Sequence, residues 1–147
     1  LDSYGASLKH GLNAVPTLIK PNMQEYGATF GTTLQDRRAI LNALDVWVTA
    51  GVKYVVLTDG ANPSYAASEK GHWKILSPEV KSVNPVGSGD AMVAGLLFGL
   101  EKGWDFKQCL SFGAAAGTAN ARKWEVANSS LEEIESLQDL VVVQKLA

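Results

Sequence analysis

The run Asn84-Pro85-Val86-Gly87-Ser88-Gly89-Asp90-Ala91-Met92-Val93-Ala94-Gly95 constrains this chain most, because it prescribes a turn followed at once by a helix of small side chains. The glycines at 87 and 89 permit backbone dihedrals and close approaches that a Cβ opposes, so consecutive N–H groups can point at one bound anion. From Ala91 onward the residues favour helix. Those N–H groups then coincide with the free donors and partial positive charge of a helix N-terminus. Asp90 falls in the first turn, where a carboxylate is electrostatically favoured. A bare Gly-x-Gly-Asp also serves as a simple turn and helix cap. Beside a transferring phosphoryl group the same aspartate can accept a proton from an attacking hydroxyl.

The rest of the chain alternates strand and helix signals. Val15 to Lys20 is a short apolar run stopped by Pro21, which predicts a buried strand ending at Asn22. Thr33-Leu34-Gln35-Asp36 has the form of a capping box with Asp in place of Glu, and Ile40, Leu41, Leu44, Trp47 and Val48 follow at helical spacing. A helix is expected from about Leu34 to Ala50. Gly51 ends it, and Val52 to Leu57 is β-branched and apolar enough for a strand covered on both faces, parallel to the first. Tyr65 to Lys70 and His72 to Leu76 flank Gly71 as a hairpin.

Beyond the Gly87 turn, helices are expected from Ser88 to Glu101, from Asp105 to about Lys123, and after the capping box Ser130-Leu131-Glu132-Glu133, making the C-terminal third mainly helical. Gly95, Gly99, Ala114, Ala115, Ala116 and Gly117 allow close helix packing, or room for a flat ligand. With 147 residues, 46% of them hydrophobic, the chain suits one domain with a substantial core. The order of elements argues for an α/β fold on a parallel sheet.

Asn84 to Gly95 resembles, nearly position for position, the C-terminal signature of the ribokinase-like carbohydrate kinases, also called the phosphofructokinase B family. Leu18-Ile19-Lys20-Pro21-Asn22-Met23-Gln24-Glu25 resembles the strand-to-helix segment with that family's Asn-x-x-Glu motif. Leu1 to Lys9, with Pro16 and the Lys-Pro-Asn block, is similar to the branch that phosphorylates hexose phosphates, including tagatose-6-phosphate kinase and 1-phosphofructokinase. The resemblance runs from Leu1 to about Asn120 and corresponds to the later part of a family member, with roughly the first half missing.

It implies the C-terminal part of a ribokinase-like three-layer sandwich, ATP and Mg2+ as cofactors, and γ-phosphoryl transfer to a hydroxyl of tagatose-6-phosphate or a fructose phosphate. Asp90 would be the general base, with Gly87, Ser88 and Gly89 forming an anion hole. The missing half would supply the opening strands, the lid and most sugar contacts.

Asn22 and Glu25 are three apart, so both can face the carboxyl end of the preceding strand from the first turn of a helix. The resemblance assigns them to the magnesium and phosphate region, with Glu25 holding the metal through water and Asn22 donating to a phosphate oxygen. A capped surface helix is the alternative. Thr58-Asp59-Gly60-Ala61-Asn62-Pro63 resembles the family's nucleotide-binding turn, with Thr58 and Gly60 in place. It departs from the pattern at Asp59, where a small or apolar residue is common, and at Pro63, near where a second glycine usually follows. An ordinary Asp-Gly turn into a hairpin reads equally well. Asn120 matches the region lining the family's adenine pocket, where an amide can donate to and accept from a base.

Cys109 lies one turn from Phe112 and Gly113 on an apolar face and is expected as a buried thiol, and neither His10 nor His72 has partners at metal-ligand spacing. A net charge of −2 without a basic cluster excludes a nucleic-acid or anionic-membrane footprint. One cysteine excludes an internal disulfide, and no signal or spanning segment is visible, so a cytoplasmic protein is expected. The expected partner is a small-molecule sugar phosphate, and a homodimer stays open. Three other functions compete: a kinase for an unphosphorylated sugar or nucleoside, a catalytically incomplete nucleotide-binding or scaffold protein, and a dinucleotide oxidoreductase. The last lacks the third glycine its fingerprint needs.

Overall fold

A computed structural model describes all 147 residues, which divide into two compact units: Leu1–Lys74 with Lys145–Ala147, and Ile75–Gln144. The first holds α1 (Gly5–Leu12), β1 (Leu18–Ile19), α2 (Met23–Phe30), α3 (Arg37–Thr49), β2 (Tyr54–Asp59) and β3 (Asn62–Ser68). β4 (Gly71–Leu76) and β5 (Val142–Leu146) run across the boundary. The five strands form one sheet in the order β1-β2-β3-β4-β5.

The sheet is mixed rather than parallel throughout. β1 and β2 are parallel, with Leu18 opposite Tyr54 and Ile19 opposite Val55. β2 and β3 are antiparallel, with Val56 opposite Ala66 and the register slipping between Leu57 and Asp59. The expected hairpin is present as β3 and β4. The first strand is shorter than the apolar run from Val15, because Val15 turns the chain at φ 47° and neither Pro16 nor Pro21 has an N–H to give. Its carbonyls carry the pairing further: Tyr54 donates to the Thr17 carbonyl at 3.0 Å, Thr58 donates to that of Pro21 at 3.2 Å, and Asn22 bridges Thr58 in parallel.

The helix expected from Leu34 begins at Arg37. Asp36 is itself the N-cap, its carboxylate accepting from the Ala39 N–H at 2.8 Å, because a short carboxylate caps the helix that follows better than it reaches back to Thr33. α3 buries Ile40, Leu44 and Trp47 against Ile19, Val52, Val55, Leu57 and Ala67. The Trp47 ring also meets Tyr26 and Phe30 of α2 at centroid distances of 5.7 and 5.9 Å. This core fixes α2 and the carboxyl ends of β1 and β2 as one rigid piece.

The second unit carries α4 (Ser88–Glu101), α5 (Phe106–Ala121) and α6 (Leu131–Gln138). α4 begins and ends where the sequence places it, whereas α5 stops at Ala121, two residues short of Lys123. α5 and α6 both start with capping boxes, from Asp105 with Gln108 and from Ser130 with Glu133. α4 and α5 pack backbone to backbone, since a Cβ on Gly95 would stand 2.9 Å from the Gly113 Cα and one on Gly117 2.9 Å from the Ser88 carbonyl oxygen. The small side chains are thus used for helix packing. α1 and β5 have no counterpart among the elements expected from sequence. No helix is long and apolar enough to cross a membrane.

Cys109 is fully buried, and burial, reinforced by the nearby Asp105 charge, pushes its thiol up to about 11. A folded thiol that holds its proton more tightly than the unfolded one, whose ordinary value is 9.0, favours the fold below pH 9 and loses that contribution as pH rises toward 11. Thiol labelling near neutral pH should therefore follow global unfolding. Rapid labelling of the folded chain would contradict this burial.

Candidate active site

In the second unit, Gly87 is the N-cap of α4 with φ 77° and ψ 0°, a left-handed conformation that costs glycine nothing and a β-carbon dearly. A Cβ there would also meet the Val126 Cγ1, so that side chain would have to move aside. The Ser88 N–H donates to the Pro85 carbonyl at 3.1 Å and the Ala91 N–H to that of Gly87 at 2.9 Å. The N–H groups of Gly87, Gly89 and Asp90 donate to no protein acceptor. They are free donors at the positive end of a 14-residue helix. Asp90 is exposed in that helix's first turn, so its carboxylate reaches solvent beside the free donors.

This turn is tied down by two asparagines. Asn84 accepts from the Val86 N–H at 3.1 Å and donates through Nδ2 to the Trp124 carbonyl at 2.9 Å. Asn120 is only 2% exposed, and its Nδ2 donates to the Val86 carbonyl at 2.8 Å and to the Ser88 Oγ at 3.1 Å. Its Oδ1 accepts from the Ala127 N–H at 2.8 Å. The amide proposed from sequence to read a base is therefore engaged within the protein. Asn84 was visible in the sequence only as the first residue of the motif.

In the first unit, Asn22 and Glu25 close a capping box on α2. The Glu25 N–H donates to the Asn22 Oδ1 and the Asn22 N–H to the Glu25 Oε2, both at 2.8 Å. One carboxylate oxygen of Glu25 and the Nδ2 of Asn22 have no protein partner, and both residues are half-buried. The bridge from Asn22 to Thr58 sets this helix start beside the end of β2, so Asn22, Glu25, Thr58 and the turn at Gly60 share the carboxyl ends of two parallel strands. Ligands of open α/β sheets bind at such ends. Gly60 takes φ 57° in the tight turn to β3, and the Asp59 carboxylate accepts from the Asn62 Nδ2 at 3.0 Å. That bond occupies one oxygen of the acidic residue that departs from the family pattern.

No three His, Cys, Asp or Glu side chains gather as a metal cage. A divalent cation here would have to rely on single carboxylates, water and phosphate oxygens, which suits magnesium and not a structural transition metal.

The family model described as "pfkB family carbohydrate kinase" matches residues 2–134. The 1-phosphofructokinase of Haemophilus influenzae is 33% identical over 144 residues, covering 97% of this chain and 46% of that protein. That of Escherichia coli is 35% identical over 99 residues, covering 67% of this chain and 32% of its own length. The structure of Escherichia coli phosphofructokinase-2 in complex with fructose-6-phosphate superposes with a TM-score of 0.83 at 26% identity, covering 95% of this chain and 45% of that one. The chain thus spans about half the length, or less, of the proteins it matches. Its glycine turn, its helix-capping Asn22-to-Glu25 segment and all that joins them lie inside the matched region, and the chain belongs to the pfkB family of carbohydrate kinases.

Proposed function

We propose that this chain supplies the phosphoryl-transfer corner of an ATP-dependent kinase acting on a hydroxyl of a hexose phosphate, tagatose-6-phosphate or a fructose phosphate. The observation that carries the reading is the turn itself: three free N–H groups at Gly87, Gly89 and Asp90, with the Asp90 carboxylate exposed among them. Asp90 takes the proton of the attacking hydroxyl. The free amides stabilise the charge that builds on the transferring group, without having to reorganise during the step.

Thr58 and Gly60 take part in holding the nucleotide. Asn22 donates its free amide hydrogens to phosphate, and Glu25 holds magnesium through water with its free oxygen. Bound magnesium would spread the charge of the transferring phosphates. The sugar-phosphate preference is supported by the two relatives named 1-phosphofructokinase, and a homo-oligomer by a structure of Escherichia coli phosphofructokinase-2 in a tetrameric inhibited form.

Acceptor profiling tests the substrate class. With ATP and magnesium, the protein containing these residues should turn over tagatose-6-phosphate, fructose-6-phosphate or fructose-1-phosphate faster than ribose or adenosine. Preference for ribose or adenosine would replace the sugar-phosphate reading with the unphosphorylated one. A catalytically incomplete nucleotide-binding protein is favoured by Asp59 and Pro63, and it predicts no turnover with any acceptor.

A further inference from the structure

We infer that Asn120 is a positioning residue for the anion turn, and that through it the loop of residues 122–127 sets the geometry of the Gly87 to Asp90 amides. The inference rests on the kinase reading only for its catalytic consequence.

A primary amide has two donor hydrogens, and both of Asn120's are spent on the turn, at the Val86 carbonyl and the Ser88 hydroxyl. These two anchors straddle Gly87, the residue whose left-handed conformation swings the following amides outward. On its other side, the Asn120 Oδ1 holds the Ala127 N–H. Ala127 adopts φ 57°, a conformation an alanine keeps only when its surroundings impose it. One buried side chain therefore joins a strained point of the loop to both sides of the turn.

The link is doubled nearby. The Val83 and Asn84 N–H groups share the Ala121 carbonyl at 2.7 and 3.1 Å, and the Asn84 Nδ2 holds the Trp124 carbonyl. Val126 of the same loop closes the space over Gly87. A displacement of the loop must therefore either break these bonds or move the turn. To read a base, Asn120 would have to give up a donor to Val86 or Ser88 in a place where its loss leaves a polar group unsatisfied.

Two experiments decide the role. In the 147-residue chain, Asn120→Asp keeps the size and the acceptor for Ala127 while placing an oxygen against the Val86 carbonyl. Amide hydrogen exchange should then quicken by about tenfold or more at the bonded amides of the turn, Val86, Ser88 and Ala91, and at Ala127, while the middle of α4 stays protected. Ser88→Ala, which removes one bond only, should give the same pattern more weakly. Unchanged exchange at the turn in both variants would overturn the inference.

In the kinase assay, Asn120→Asp should lower kcat by about 10²-fold through misplaced donors, leave the KM for ATP within about threefold, and leave the ATP-to-GTP preference unaltered. A raised KM for ATP or a changed nucleotide preference, with kcat kept, would make Asn120 a base reader and contradict the proposal. If the unmutated protein transfers no phosphate, the kinase reading fails, and the exchange pattern still decides the positioning role.

Discussion

Gly95→Val is expected to destabilise the second unit by about 3 kcal/mol or more, a large share of the roughly 5–15 kcal/mol that holds a typical domain together. The reason is the absence of anything soft to move. A Cβ at 95 meets the Gly113 Cα at 2.9 Å, the Ala116 Cβ at 3.2 Å and the Gly113 amide nitrogen at 3.3 Å, so α4 and α5 would have to separate. Valine fits a helix better than glycine by only a few tenths of a kcal/mol, too little to offset that separation. Urea unfolding would show the loss as a lowered midpoint, and Ala94→Val, on the exposed face one residue earlier, should stay within about 0.5 kcal/mol of the parent. Equal effects at 94 and 95 would mean that the helices are not in the tight contact described.

Asp90→Asn should reduce phosphoryl transfer by about 10²–10⁴-fold, the range over which a positioned general base contributes. The fold should scarcely notice. Asp90 is exposed and no hydrogen bond from its carboxylate holds another element, so the stability at stake is the interaction of its charge with the α4 N-terminus, up to about 1 kcal/mol. Turnover with a hexose phosphate, measured beside a thermal melt, separates the two quantities. Turnover within threefold of the parent would remove Asp90 from the role of base.

Much of this was legible before any coordinates. The α4 boundaries follow from the glycine turn and from residues with consistent helical preference, and α6 from a capping box whose two halves both form. β2 follows from its β-branched run, but it spans Tyr54–Asp59 rather than Val52 to Leu57, because the Val52 N–H is still spent on the Trp47 carbonyl at the end of α3. What escaped has physical causes. α1 is built around Gly5 and Gly11, and its first N–H donates to the hydroxyl of Thr29, 24 residues away, rather than to a neighbouring cap, so neither propensity nor local capping announces it. β5 is a short strand with only three residues between it and the end of α6. The sequence alone places the start of α3 a turn early because Thr33 and Asp36 each fit as a cap, and only the structure shows that it is the Asp36 side chain that meets an amide.

The candidate site divides in the same way. Gly87 to Asp90 and the Asn22-to-Glu25 segment declare themselves by residue type and spacing. Their internal wiring does not. That Asp59 holds the Asn62 side chain and that Asn120 faces the backbone of the turn are contacts that no spacing rule encodes. Asn120 is separated from Val86 by 34 residues, so only the close approach of α4 and α5 brings them together.

The central claim is that the free amides of the Gly87 turn receive the transferring phosphoryl group. The most direct test is the backbone amide spectrum of the protein as MgADP, aluminium fluoride and fructose-6-phosphate are added to mimic that group in flight. The account predicts the largest shifts at Gly89 and Asp90, whose N–H groups are unengaged, and a small one at Ser88, whose N–H already serves the Pro85 carbonyl. A spectrum that responds at Thr58 and Gly60 while Gly89 and Asp90 stay still would mean that nucleotide binds but that this turn is not where phosphate is transferred.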